Sequence, residues 1–170
     1  EMPSSVRETG EGIFKGCTSL TQITISSSMT EINDCFLNGC SSLEQITIPP
    51  SVKILRKGIF KGCSSLKKIT LSSTTQIGNN AFDGCSSLTQ IEIPSTVTKI
   101  GDYVFNDCNS LEQITIPSSV TETGKGVFNG CTSLTQITIS PSMTKVDDYF
   151  LNGCSSLEQI TIPSSVEHLG

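Results

Sequence analysis

Seven of the eight cysteines in this 170-residue chain fall at positions 17, 40, 63, 85, 108, 131 and 154, with spacings of 23, 23, 22, 23, 23 and 23. Eight cysteines invite a disulfide or metal reading, and the spacing argues against both. There is no C-x-x-C pair and only one histidine, His168, so no metal is expected. If the period places seven thiols in one inward column, an odd number cannot pair completely. The expectation is a reduced ladder in which cysteine packs as a small hydrophobe. Neighbouring thiols would still be near enough for isolated oxidation. Cys35 breaks the column, and its slot elsewhere holds Gly12, Gly58, Asn80, Tyr103, Gly126 and Tyr149. That mixture reads as a half-exposed position, and Cys35 as either an incidental thiol or a reactive one suited to intermolecular coupling.

Other catalytic chemistry has little to stand on. His168 lies near the end in V-E-H-L, and the many serines and threonines lack a base. Glu44, Glu112 and Glu158 recur at one strand position, where they read as solubilising charges and not as an acid/base pair. No Gly-rich phosphate loop occurs, so no nucleotide cofactor is expected and the chain reads as a non-enzyme. Asn38, Asn129 and Asn152 each precede Gly-Cys, a pattern that turn preference explains.

Composition narrows the class further. Hydrophobic residues are 35% and charged residues 16%, with no Trp and two Tyr. Ser, Thr, Ile and Gly take up the difference and favour strands and turns over helices. A net charge of −5 argues against nucleic acid as the main partner. No apolar run reaches the roughly 18–20 residues of a membrane-spanning helix. The first residues, Glu1-Met2-Pro3-Ser4-Ser5-Val6, read as the middle of a repeat, so residues 1–170 are expected to be one domain cut from a longer array.

The elements that must position these side chains come from that repeat. G-C-[ST]-S-L-x-x-I-x-[IL] recurs with the cysteines of the column, except that Cys108 is flanked by Asp107 and Asn109, and its strand half is clear in Leu111-Glu112-Gln113-Ile114-Thr115-Ile116. Apolar alternation and β-branched residues make this half a strand with one buried face. Pro49, Pro94, Pro117 and Pro163 belong at its edge, since proline cannot donate to a ladder. The second half, clearest in Val97-Thr98-Lys99-Ile100-Gly101-Asp102-Tyr103-Val104-Phe105, turns another apolar edge inward. Asp34, Asn79 and Asp102 are expected to cap a short helical turn carrying the phenylalanine. Gly16, Gly39, Gly62, Gly84, Gly130 and Gly153 suit a position with φ > 0, and Asp107 replaces glycine there once. The 22-residue spacing reflects a residue missing between Leu71 and Thr74. A longer period also shows: Val6-Arg7-Glu8-Thr9-Gly10 matches Val120-Thr121-Glu122-Thr123-Gly124, 114 residues or five units later. No unit can bury its own apolar face, so stability must come from stacking. The fold expected is a β-rich solenoid of about seven units, with a parallel sheet on one face and short strands and helical turns on the other. At ~4.8 Å per strand such a rod is roughly 34 Å long.

The unit resembles the leucine-rich repeats of the BspA-like, treponemal type, L-x-x-I-x-I-P-x-x-V-x-x-I-G-x-x-A-F-x-x-C, over essentially the whole chain. Departures are few: Thr9 and Thr123 fill the second Ile slot, and Phe36-Leu37 and Phe150-Leu151 replace the apolar-Phe pair. The resemblance implies a cell-surface or secreted protein that adheres to host cells, matrix proteins or other microbes.

Strand residues that are not apolar must face outward in rows. One row is Gln22, Gln45, Lys68, Gln90, Gln113, Gln136 and Gln159. The next is Thr24, Thr47, Thr70, Glu92, Thr115, Thr138 and Thr161. Such rows either just stabilise stacked strands or form an extended binding surface. One unit interrupts them: Lys53, Arg56, Lys57, Lys61, Lys67 and Lys68 lie within residues 51–72, while the rest of the chain carries 5 basic and 16 acidic residues. That band reads either as a solvated charge run or as a dock for acidic proteins or sulfated glycans. The candidate binding residues are therefore Lys67, Lys68, Gln45, Gln90, Thr47, Thr70, Glu92, Arg56, Lys57 and Lys61. The partner expected is a protein or glycan on a host cell or matrix. A spacer or self-associating stalk is the alternative, and ice or carbohydrate-crystal binding by the Thr row is a third reading that the interspersed charges disfavour.

Overall fold

A computed structural model describes residues 2–170. Ten short strands run in chain order: Gln45–Thr47 (β1), Ile54–Leu55 (β2), Lys68–Thr70 (β3), Gln76–Ile77 (β4), Lys99–Ile100 (β5), Gln113–Thr115 (β6), Glu122–Thr123 (β7), Gln136–Thr138 (β8), Lys145–Val146 (β9) and His168–Leu169 (β10). Every pairing is parallel and joins a coil to its neighbour. The L-x-x-I-x-I halves supply β1 with β3 and β6 with β8, and the V-x-x-I halves build the sheet β2-β4-β5-β7 and the pair β9-β10. The fold is a parallel β-solenoid in which regular pairing covers about five turns, against the seven units counted from the cysteines. Near the chain's beginning a single parallel bridge, Glu8 to Glu31, stands in place of a ladder. On the first face pairing also lapses between β3 and β6, beside the coil that is one residue short.

The third side departs from expectation. Among the described residues there is no helix, and the segment before each cysteine is a run of hydrogen-bonded turns. Its N–H groups reach across to the next coil: Cys35, Leu37 and Gly39 donate to the carbonyls of Lys57, Ile59 and Lys61. The same three bonds recur from Tyr103, Phe105 and Asp107 to Lys125, Val127 and Asn129. An α-helix would need those donors for its own carbonyls. Left-handed backbone also interrupts each run twice, as at Cys35 (φ 57°) and Gly39 (φ 75°). The capping residues are correspondingly redirected. Asp34 accepts from Lys57 N, Asn79 from Asp102 N and Asp102 from Lys125 N, at 3.0–3.2 Å, so each satisfies a donor of the next coil.

Stacked coils give a core of columns. Phe60, Phe82, Phe105 and Phe128 are fully buried, with successive ring centroids 5.4–5.5 Å apart and rings within 15° of parallel. Phe36 and Phe150, one place earlier in their units, instead meet Phe14 and Phe128 edge-on at 5.3 Å. Leu37 then occupies the Phe position of its coil, fully buried, and the swap leaves no gap in burial. Asp107 takes the glycine conformation at φ 53°, as expected for that slot.

Two threonines flaw this core. Thr74, in the Val slot, and Thr123, in the second Ile slot, are buried with hydroxyls that find no partner among the described residues. Thr9, in the same slot as Thr123, has one, accepting from Asn33 N at 3.0 Å. An unsatisfied buried hydroxyl costs about 1–3 kcal/mol. Thr123→Val should therefore raise the urea midpoint by the equivalent of about 1 kcal/mol, whereas Thr9→Val should lower it. Phe105→Ala, which opens the middle of the aromatic column, should cost about 3–5 kcal/mol in the same measurement.

Candidate functional site

In β1, β3, β6 and β8 the central isoleucine points inward and its two neighbours point out. Parallel pairing then sets like against like. Gln45 lies opposite Lys68 and Thr47 opposite Thr70; Gln113 lies opposite Gln136 and Thr115 opposite Thr138. The rows border three shallow troughs of about 550, 880 and 820 Å3. The first and second share Lys68 and Thr70, and the second and third share Gln136 and Thr138. They are segments of one trough running from Gln22 to Pro163.

The expected binding residues divide. Gln45, Thr47, Lys68 and Thr70 line the first segment, and Lys67, Lys68, Thr70, Gln90 and Glu92 line the second. Arg56, Lys57 and Lys61 line neither, so the basic cluster is not one patch. Arg56 pairs with Glu31, Lys61 with Asp83 at 2.8 Å and Lys67 with Glu44 at 3.7 Å. The Lys67 pair is more than half exposed on both sides and holds little energy. Lys68 is the basic residue of the trough that has no ion pair among the described residues.

One ladder was not anticipated. Asn152 donates to Asn129, Asn129 to Asn106 and Asn106 to Asp83, at 2.6–2.9 Å, and Lys61 closes the chain on Asp83. These asparagines looked like turn residues alone; their recurrence one period apart was the signal that they hydrogen-bond to one another. The ladder lies outside the trough and ties coils together.

Cys40 to Cys154 form the expected inward column, Cys17 at its end is exposed instead, and all eight cysteines are free. Each Sγ–H from Cys40 to Cys154 donates to a carbonyl of the preceding coil, in order Phe14, Leu37, Phe60, Phe82, Phe105 and Phe128, at 3.1–3.2 Å. Burial, with neighbouring thiols adding to it, pushes Cys63 and Cys131 up to about 12. The same causes raise Cys40, Cys85 and Cys108, and burial takes Cys154 to about 11. Cys17 is exposed and Cys35 half-buried. The slot of Cys35 is now explained by backbone: Gly12, Cys35, Gly58, Asn80, Tyr103, Gly126 and Tyr149 all sit at φ 53–61°. The mixture of types marks a left-handed position; the expected half-exposure holds at Gly12, Cys35, Asn80 and Tyr103, while Gly58 and Gly126 are buried and Tyr149 is exposed. The side chain of Cys35 lies over Gly58, and the ring of Tyr103 over Gly126, where a Cβ would collide with it.

His168 is exposed on β10, beside Lys145 in register, and Glu44, Glu112 and Glu158 are exposed. Among the described residues no group of three or more His, Cys, Asp or Glu side chains is placed to hold a metal. Nor, among the described residues, is any helix long and apolar enough to cross a membrane.

The model of the BspA type leucine rich repeat region matches residues 1–76 and 71–170, in six copies. Among solved structures, the leucine rich repeat protein TpLRR of T. pallidum is 30% identical with a TM-score of 0.80, over 90% of this chain and 72% of that one. A leucine rich cell surface protein of Faecalibacterium prausnitzii is 27% identical with a TM-score of 0.51, over 99% of this chain and 60% of its own. The pneumococcal vaccine antigen PcpA is 25% identical with a TM-score of 0.63, over 86% of this chain and 38% of its own. No curated protein matches the sequence.

The thiol column makes a measurable signature. In the native protein at neutral pH, Cys17 and Cys35 should react promptly with a thiol reagent, half-buried Cys154 more slowly, and the five buried thiols only as the chain opens. More than two fast thiols would contradict the burial of the column. Because the buried thiols hold their protons more tightly folded than unfolded, stability should fall as pH rises from about 9 toward 12, where only the unfolded thiols ionise. Urea titrations across that window check it.

Proposed function

The chain belongs to the BspA-type leucine-rich-repeat family, and on that premise we propose that it is a non-enzymatic recognition module whose strand-face trough binds its partner. The observation that carries this reading is the continuity of the trough: an amide and a hydroxyl from each coil, replaced once by Lys68 and once by Glu92, repeated along the exposed side. Extended faces of this kind are what solenoids use for binding. Residues 1–170 act as one leucine-rich-repeat domain, and the partner is a protein or glycan on a host cell, a matrix or another microbe. Exposure at the cell surface, or secretion, is supported by the cell-surface description of the Faecalibacterium relative and the antigenic description of the pneumococcal one. Of the residues put forward from the sequence, Gln45, Thr47, Lys68, Thr70, Gln90 and Glu92 belong to this site, with Lys67 at its rim. Arg56, Lys57 and Lys61 serve contacts between coils.

A screen of the chain against matrix proteins and glycosaminoglycans at two salt concentrations tests the reading. Gln90→Arg with Gln113→Arg places two bulky charges in the middle of the trough and should weaken the captured ligand at least about tenfold. Lys57→Glu with Lys61→Glu should leave it unchanged. The reverse pattern would move the site to the turn side, and concentration-dependent sedimentation with no ligand captured would favour the stalk.

A further inference from the structure

We infer that the trough takes an uncharged, hydroxyl-rich chain, a linear neutral glycan laid along the solenoid axis; this rests on the trough being the recognition face. Charge is the first reason. The two floor rows carry one cation, Lys68, and one anion, Glu92, so the floor is neutral. Of the other basic residues of that region, Arg56 pairs with Glu31 and Lys61 with Asp83 away from the trough, Lys53 and Lys57 line none of its segments, and Lys67 at the rim faces Glu44. A sulfated or acidic polymer would meet one unpaired lysine and then the exposed carboxylates of Glu112 and Glu158 along the same flank.

Hydrogen-bonding chemistry is the second. Each glutamine offers an amide that donates and accepts, and each threonine a hydroxyl that does both. A sugar hydroxyl has the same dual character, so every coil can meet it whichever way its hydrogens turn.

The third reason is what the trough lacks. Ile69, Ile91, Ile114 and Ile137 are 5–8% exposed beneath the rows, Ile160 opens to 39% only at the far end, and no aromatic side chain lines any of the three segments. Protein partners draw most of their binding energy from apolar or aromatic anchors seated in pockets, and the middle of the trough offers none. A repeating ligand on a repeating surface instead sums weak contacts, coil after coil at about 4.8 Å.

Calorimetry and affinity electrophoresis of the intact chain with linear neutral glucan oligomers of increasing length, and with heparin, test this at low and high salt. The dissociation constant for the glucans should fall as they lengthen and change less than about twofold with salt. Gln113→Ala with Gln136→Ala, both exposed, should weaken binding about tenfold without moving the thermal midpoint. Heparin bound more tightly than any glucan, with loss of binding in the double variant, would overturn the neutral-glycan inference and leave the trough as the recognition face. Glucan binding that the double variant does not weaken would overturn both. If no glucan binds at any length, the inference is wrong, and the protein arm of the screen decides the trough on its own.

Discussion

Everything in this molecule depends on one constraint: each coil leaves backbone N–H and C=O groups unsatisfied until the next coil is laid against it. On two sides those groups are used as short parallel strands. On the third they are used as turn-to-turn bonds at the same spacing, such as Leu37 to Ile59 and Phe105 to Val127. The coil is therefore hydrogen-bonded outward on every side, which is why it cannot also be hydrogen-bonded inward as a helix.

Equal coil length follows from that constraint, and columns follow from equal length. Like side chains stand on like, so phenylalanines stack, thiols point at the carbonyls of the coil before, and asparagines chain into a ladder that ends on Asp83. Variation is tolerated where a neighbour can absorb it. Phe36 and Leu37 exchange places without exposing either, and the coil that is one residue short interrupts a strand ladder but not the aromatic column. Variation is less well tolerated where a polar atom is sealed in, and the contrast between Thr9, which has a partner, and Thr123, which has none, shows that slot identity alone does not decide the energy.

The same repetition that uses up the interior leaves the exterior as the place for recognition. Conventional charge reasoning pointed to a basic band, yet the coil geometry distributes that band over different sides and pairs Arg56, Lys61 and Lys67 with Glu31, Asp83 and Glu44. What remains on the strand side is a polar, nearly neutral surface with one lysine in it.

The sequence alone determined the solenoid, the parallel strands, the inward thiol column, the left-handed glycine slot with Asp107 in it, and the outward Gln and Thr rows. All of these follow from a period and from which residue types can be buried or can adopt φ > 0. Tertiary structure alone decided three matters. It replaced the helical turns by cross-coil bonding and sent Asp34, Asn79 and Asp102 to the next coil's donors. It added a second meaning to the slot of Cys35, since a left-handed backbone as well as partial exposure characterises Gly, Asn, Tyr and Cys there. It also paired Arg56 with Glu31 and Lys61 with Asp83 and left Lys68 without an ion pair in the trough. The reason is common to all three: a period says which residues repeat, but which donor meets which acceptor, and which side a charge faces, depends on how one coil sits upon the next.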